Sequence, residues 1–528
     1  MLDVGATADA TLADLPALAL LPGITEVELA GRADAQLDQS VPAIHASEPG
    51  HANTAGVPHL WSVAGTAPLT FAGTTGKTTL VGVVDTGIDL SNADFRTGSG
   101  TRILELWDQA ACPDPSAGLC PQQPANSQGF TYGAECSQSL INSSSCGPFS
   151  YGADCTPLAL PEQDCNGHGT HVAGIASANG RAGTAGTYIG VAPEANLVIV
   201  KSDFDLAHTV DAVAYVYRLA AARGLPASVN LSLGTNFGPH DGTDTFEQML
   251  DALTGPGRLL SVAAGNQATS GSSYHYHASA TLAVGAVKVE SLRVATQPVF
   301  IDLWYPGSDS ISVAMNEQGV GQTGWVSPSV AGTANLDGTC NQYSQASGFQ
   351  DPQNNVFAVL SCTAMPGSLD NEIQIELYNS GTAGNTLKNP NGALCDSTLN
   401  CLDVFQIQLR GDTAPHGPFN AWMFNQGDYY FHGGDGNDIS TIDEPATAHR
   451  VVAVGSYVDR TSWPSQAGTK SDPYGTQGQL SFFSASGPTR DGRNGISLVA
   501  PGEVVGSSLS ANAAARLRSG CPVFTVQG

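Results

Sequence analysis

Basic residues are scarce in this chain: 20 Lys and Arg stand against 47 Asp and Glu, a net charge of −27. Such a surface repels phosphate backbones, so nucleic acid is excluded as a partner. Long hydrophobic runs are missing too. No stretch approaches the roughly 18–20 apolar residues that a membrane-crossing helix needs, and no membrane partner is expected. The N-terminal MLDVGATADATLADLPALALLPG has neither a basic start nor a long apolar segment, so it does not read as a secretory signal. Cysteine pairs of the C-x2-C kind are absent, which argues against zinc held by cysteine.

What is present is a chain of 528 residues with 41% hydrophobic content, long enough for two or three domains and a large core. Its 11 cysteines fall into an even cluster between Cys112 and Cys165, a second even cluster between Cys340 and Cys401, and a lone Cys521. Each cluster can pair internally, with several connectivities open, and disulfides imply an oxidising compartment. Cys521 is expected to find its partner past the end of the chain.

Three motifs carry chemistry. TLVGVVDTGID is a continuous apolar run that ends in Asp85 and a glycine turn, as a buried parallel strand does when it delivers a carboxylate to the open end of a sheet. Taken alone, Asp85 reads better as a strand-end residue that caps the next turn. In DCNGHGTHVAGIASA, Gly167 and Gly169 flank His168 at a predicted helix start, where the imidazole can accept a proton from a nucleophile. His171 lies near the same face. The H-E-x-x-H pattern is absent, so it reads as a structural histidine and not as a metal ligand. LLSVAAGNQ is a second buried strand with a tight turn, from which the Asn266 amide can donate to an oxygen acquiring negative charge; the plainer reading is turn stabilisation. GTTGKT at 73–78 falls short of a phosphate loop because Phe71 stands where glycine is required.

Together and in this order, D-T-G, H-G-T-H-V-A-G and A-A-G-N resemble the subtilisin-like serine proteases (subtilases). GVAPEANLVIVKS (190–202), VNLSLG (229–234), FSASGPTRDGR (483–493) and LVAPG (498–502) extend the resemblance. It implies a doubly wound α/β catalytic domain. It also implies that Asp85 orients His168, that His168 is general base and then general acid, and that Asn266 donates to the oxyanion. VNLSLG resembles the strand that lines the first specificity pocket and pairs with substrate. Ser232, Leu233 and Gly234, with Ala264 and Gly265, are therefore expected to bind substrate. The family's serine motif, G-T-S-M-A-x-P, is expected beyond Gly528. GSSLSAN (506–512) imitates it with Ser508 in the serine's place, but Asn512 replaces the proline and the distance from LVAPG is too short. GSSLS is instead expected to form the strand that follows LVAPG.

The expected organisation is a partial α+β propeptide at 1–46, a first catalytic part at 47–286, an insert at 287–443 and a second catalytic part at 444–528. LDQSVPAI, at 37–44, resembles the tail of a family propeptide, and the alternative is an ordinary N-terminal extension. The cysteine-rich stretch at 108–165 is expected to be a disulfide-stapled surface excursion. Within the insert, VFIDLWY, SISVAM, EIQIELY and VFQIQLRG alternate apolar with polar residues, the pattern of antiparallel strands in a β-sandwich. IDLWYPGSDSISV and GPFNAWMF resemble the jelly-roll insert of a subset of subtilases that includes clostridial germination proteases. Trp304 and Trp422 read as core residues.

The expected function is a secreted serine endopeptidase acting on proteins and peptides, with its own propeptide as inhibitor. No cofactor is required. Structural calcium is common in the family, but no acidic loop matches one of its sites. The alternatives are an inactive relative whose cleft binds without cutting, and an adhesion role for the β insert.

Overall fold

The computed structural model describes residues 34–35, 44, 46–47, 60–65, 69–111, 125–147, 164–182, 188–269, 272–295, 298–327, 340–343, 351–365, 367–396, 398–413, 416–424, 429–465, 468–472, 474–503 and 505–513. Most of the expected propeptide, much of the cysteine-rich stretch and Cys521 lie outside them.

A sheet of 8 strands organises the chain on either side of the insert region. In chain order these are β1 (Leu80–Asp85), β2 (Ile103–Asp108), β3 (Ala134–Ser137), β4 (Asn196–Lys201), β5 (Ala227–Leu231), β6 (Arg258–Ala263), β7 (Val452–Val458) and β8 (Leu498–Glu503). In space the order is β8-β7-β6-β5-β1-β4-β2-β3, with every pair parallel except β2 and β3 at one edge.

Strand β1 sits between β5 and β4 and is apolar as far as Asp85 because both of its faces are covered. Val84, Val198 and Val200 pack on α2 (Leu206–Arg223), whereas Val83, Leu197 and Ile199 pack on Val172 and Ala173 of α1 (His168–Ser177). Helices on both faces of a mainly parallel sheet make the doubly wound α/β arrangement. Helix α2 is bounded by its own sequence: the Asp205 side chain accepts from the His208 backbone N–H at its start, and Gly224 closes its end in the left-handed conformation. Among the described residues no helix is long and apolar enough to cross a membrane.

Two antiparallel sheets lie between β6 and β7 in the chain. One has 6 strands, including Val287–Val294, Ile311–Glu317 and Phe405–Gly411; the other has 7, including Val299–Tyr305, Asn355–Cys362, Asn371–Asn379 and Phe419–Met423. Both bury side chains in one shared core that includes Leu292, Ile301, Val313, Phe357, Ile375 and Ile407. Their strands begin at Tyr274, ahead of the expected boundary at Val287. The alternation is clean in Phe405–Gly411 but fails in Val299–Tyr305, where Asp302 and Trp304 are also buried. Those two side chains face the loop at 236–241 and Arg490, so this strand is covered on both sides. Trp422 is buried as well.

The expectation of a strand at GSSLS is corrected. Residues 506–510 join no ladder. Their hydroxyls bond elsewhere: Ser507 Oγ donates to the His171 carbonyl at 2.7 Å, Ser508 Oγ to Asp94 Oδ2 at 2.7 Å and Ser510 Oγ to the Asp164 carbonyl at 2.5 Å. The segment therefore lies against α1, and it can do so because Gly174 has no Cβ to meet Ser507 and Ser508.

Cys136 is bonded to Cys146 and Cys395 to Cys401, each within its sequence cluster, and Cys165 and Cys362 are also in disulfides. Non-reducing peptide mapping should recover both named pairs. Replacing Cys136 and Cys146 together by alanine should cost about 2–3 kcal/mol in urea unfolding; an unchanged midpoint would show that this staple contributes nothing.

Candidate active site

Asp85 is the last residue of β1 and His168 the first of α1, and both are buried. The His168 Nδ1–H donates to Asp85 Oδ1 at 2.7 Å, the ring orientation that a carboxylate acceptor demands. Two glycines allow the meeting. Gly167 precedes the helix at φ 93°, a left-handed conformation costly for other residues. A Cβ on Gly169 would strike the Gly87 carbonyl and crowd Asp85, so only glycine lets the helix start come this close to the strand end.

Asp164 holds the arrangement from below. Its buried carboxylate accepts from Thr86 Oγ1 at 3.0 Å, Gly167 N at 2.7 Å, Thr170 N at 2.9 Å and Thr170 Oγ1 at 2.6 Å. Thr86 Oγ1 accepts in turn from Gly169 N at 2.9 Å. Burial pushes the Asp164 carboxyl above its ordinary range, against the pull of these bonds. Neither Asp164 nor Thr86 was among the expected site residues. The available signal was an acid just ahead of a glycine-flanked helix start, the place of a capping residue. His171 lies behind the pair, with Nε2 at 3.3 Å from the Val505 carbonyl. Burial and the neighbouring His168 hold it down at about 4, so it stays neutral and structural.

Register places the other expected residues on the same edge. Val84 lies opposite Leu231, and Leu231 opposite Val262. With about 4.8 Å between neighbouring strands, the chain leaves β1, β5 and β6 within about 10 Å. After β5, Ser232 leads into Leu233–Gly234, which pairs antiparallel with Asp34–Ala35: Asp34 lies opposite Gly234 and Ala35 opposite Leu233. After β6, Ala264 donates its N–H to the Val454 carbonyl at 2.9 Å, and Gly265 turns the chain at φ 114°. Asn266 follows, half-buried, with no hydrogen-bond partner for its amide among the described residues. Ser508 is not part of this grouping. It packs beside Gly174, roughly 9 Å along α1 from His168 at 1.5 Å per residue, with its hydroxyl on Asp94.

The two exits are tied together from behind. Asp443 N donates to the Ala264 carbonyl at 2.9 Å, and Thr235 and Glu444 exchange two backbone bonds of 2.9 Å. The loop beyond Thr235 is clasped by the antiparallel sheets. Asn236 Nδ2 donates to the Met423 carbonyl at 2.7 Å, Gly238 N donates to Asp302 Oδ2 at 2.7 Å, and the His240 ring stacks on Trp422 at 4.0 Å. Arg490 bridges Asp241 on the same loop to Asp370 of the antiparallel sheets. Asp244, Glu247 and Glu444 converge within 4.8 Å, the one grouping among the described residues with the convergence that a cation needs. Burial and the repulsion of neighbouring acids push Glu247 and Glu444 well above the ordinary carboxyl range.

The arrangement can perform proton transfer: an imidazole whose Nδ1–H is held by a carboxylate can take a proton at Nε2, beside an extended strand and an amide donor. Comparison with known proteins points the same way. The profile of the subtilase family matches residues 76–397 and 425–521. Subtilisin BL of Lederbergia lenta is 33% identical over 187 residues, 33% of this chain and 64% of that protein. An alkaline protease of Shouchella clausii is 33% identical over 187 residues, 45% of its length. The chain thus spans less than two thirds of these curated relatives. Among solved structures, the Clostridium perfringens CspB protease superposes with a TM-score of 0.60 over 83% of this chain and 78% of that one. At 22% identity this is a likeness of fold.

Two buried histidines, His240 and His277, and the half-buried His171 are held down at about 4, chiefly by desolvation. A histidine depressed in the folded state contributes stability that is complete above its ordinary value near 6.5 and is lost as pH falls toward about 4. The raised carboxyls act in the opposite sense, so the test is a difference. Urea midpoints of the wild type relative to His171→Gln should fall between about pH 6.5 and 4. A difference that stays constant across that window would contradict the neutral state of His171.

Proposed function

This chain belongs to the subtilase family, and from that membership we propose that it is the catalytic body of a secreted serine endopeptidase. The observation that carries the reading is the 2.7 Å bond between His168 and Asp85 at the sheet edge where the Ser232–Gly234 strand and the Ala264–Asn266 turn also emerge. In this mechanism a serine hydroxyl attacks the peptide carbonyl while His168 Nε2 removes its proton. Asp85 keeps the Nδ1–H in place and balances the imidazolium. The carbonyl oxygen becomes an oxyanion and accepts from the Asn266 amide. His168 then passes its proton to the departing amine, and water repeats the sequence on the acyl-enzyme. The proton passes through His168 in each half of the reaction, and no step calls for a cofactor.

Substrate would lie extended along Leu233–Gly234, as an added strand does. Asp34–Ala35 already occupies that ladder, which supports reading residues 1–46 as a propeptide that inhibits by resembling substrate. The antiparallel sheets are read as a jelly-roll insert, with 287–443 as its extent between catalytic parts at 47–286 and 444–528. Disulfides within both cysteine clusters support an extracellular location.

The test is peptide hydrolysis by the full natural protein after removal of its N-terminal segment, with block by a serine-directed phosphonate. His168→Ala should lower turnover by several orders of magnitude, because an unassisted serine is a weak nucleophile. Asn266→Ala should lower kcat by about 10²–10³. Hydrolysis indifferent to either change in a folded variant, or no hydrolysis of any peptide, overturns the reading in favour of a binding protein of this fold.

A further inference from the structure

We propose that Asp244, Glu247 and Glu444 form a binding site for a calcium ion behind the strand that runs to Gly234. The site stands apart from the endopeptidase reading, because an ion held there does not touch the reacting bond.

The acids come from two distant stretches of chain. Asp244 caps α3 (Thr245–Leu253), its Oδ1 accepting from Glu247 N at 2.7 Å, so Asp244 and Glu247 stand together at the start of that helix. Glu444 arrives from the antiparallel sheets and exchanges two backbone bonds with Thr235, directly after Gly234. One oxygen of each acid lies within 4.8 Å of the other two. Oxygens around a single calcium ion span the same range, since each sits about 2.3–2.6 Å from the metal.

Both glutamates are fully buried, at 0% exposure, and each keeps an oxygen that no donor reaches. Thr447 Oγ1 donates to Glu247 Oε1 at 2.6 Å and His240 N to Glu444 Oε1 at 2.7 Å, while Oε2 of either residue has no hydrogen-bond partner among the described residues. The neighbouring cations are committed elsewhere. Arg490 is paired with Asp241 and Asp370, and Arg493 with Asp491 and with the carbonyls of Asp241 and Thr447. Carboxylates buried in this way are costly unless something positive lies between them. After burial, the largest influence raising either glutamate is the charge of Asp244, as it is when all three acids face one another. A proton shared between Asp244 and Glu444 would join two of the three. One cation joins all three and reaches the Oε2 atoms that no donor reaches.

The donors select the ion. Carboxylate oxygens suit calcium or magnesium and not copper or zinc. Magnesium keeps several waters and demands near-octahedral geometry, whereas calcium accepts about 6–8 oxygens in a flexible arrangement, which fits a closed site of buried acids. The ion would fasten the start of α3 to the residues that tie the Ser232–Gly234 strand to the antiparallel body.

The experiment uses the full natural protein carrying His168→Ala, so that self-cleavage cannot imitate a loss of stability. It is stripped with EDTA and returned to about 1 mM free calcium, the upper end of the range for extracellular modules. Calcium should raise the urea midpoint of this parent, and elemental analysis after dialysis should count one bound calcium fewer per chain when Glu247→Gln is added. Hydrogen exchange of the parent needs no second variant: calcium should slow the amides of 235–253 and 443–448 by about tenfold or more, and more than those of any other segment. Equal calcium content with and without Glu247→Gln, or slowing that is greatest elsewhere, overturns the site. Equal protection by magnesium overturns the choice of calcium. No peptide is cleaved in any of these measurements, so a chain without proteolytic activity passes or fails on calcium alone.

Discussion

One short hydrogen bond, from His168 Nδ1 to Asp85 Oδ1, requires the end of a central strand and the start of a helix to meet within side-chain reach, and much of the nearby architecture serves that meeting. A buried carboxylate left unpaired is costly, so the site is stable only when its donors are in place. Thr86 N donates to the same Asp85 oxygen at 2.7 Å, and the Asp164 carboxylate gathers the N–H groups of the helix start that would otherwise lack partners. Gly167 and Gly169 remove the steric obstacle.

A second constraint acts on the strand and turn that flank the pair. Neither is held by the parallel sheet once it has left it. Asp443 and Glu444, arriving from the antiparallel sheets, bond to the backbone of Ala264 and Thr235, and the loop after Thr235 is gripped by Met423, Asp302 and Trp422. The antiparallel body is thus a buttress, and its strand containing Asp302 is covered on both sides where it meets that loop. Asp302 is pushed up to about 6 by burial although Gly238 N and the Trp304 indole bond to it. It is a buried acid, kept where it can hold one loop amide.

Local pattern made much of this legible. The apolar run ending at Asp85 and the glycines around His168 encode their elements directly, because a strand covered on both faces and a tight helix start leave few other compositions. EIQIELY and VFQIQLRG could be read as strands because one face is wet, and the structure places both in antiparallel ladders. What stayed hidden depends on long-range contacts. The bond from Asn236 to Met423 crosses 187 positions, and Asp443 gains its place only when the walls at Gly234 and Gly265 close around it. GSSLS misled for a related reason: its serines bond to α1 and to Asp94 on a distant segment, and an alternating pattern does not reveal that competition.

The central claim is that Asp85 holds the His168 ring with its Nδ1 proton in a charge-assisted bond. Proton NMR of this chain, with histidine labelled at the ring nitrogens, tests it most directly. The account predicts an Nδ1–H resonance well downfield of the backbone amides, correlated to His168, that is lost in Asp85→Asn while the helix signals persist. A spectrum in which His168 carries its proton on Nε2, or one unchanged by Asp85→Asn, would contradict it.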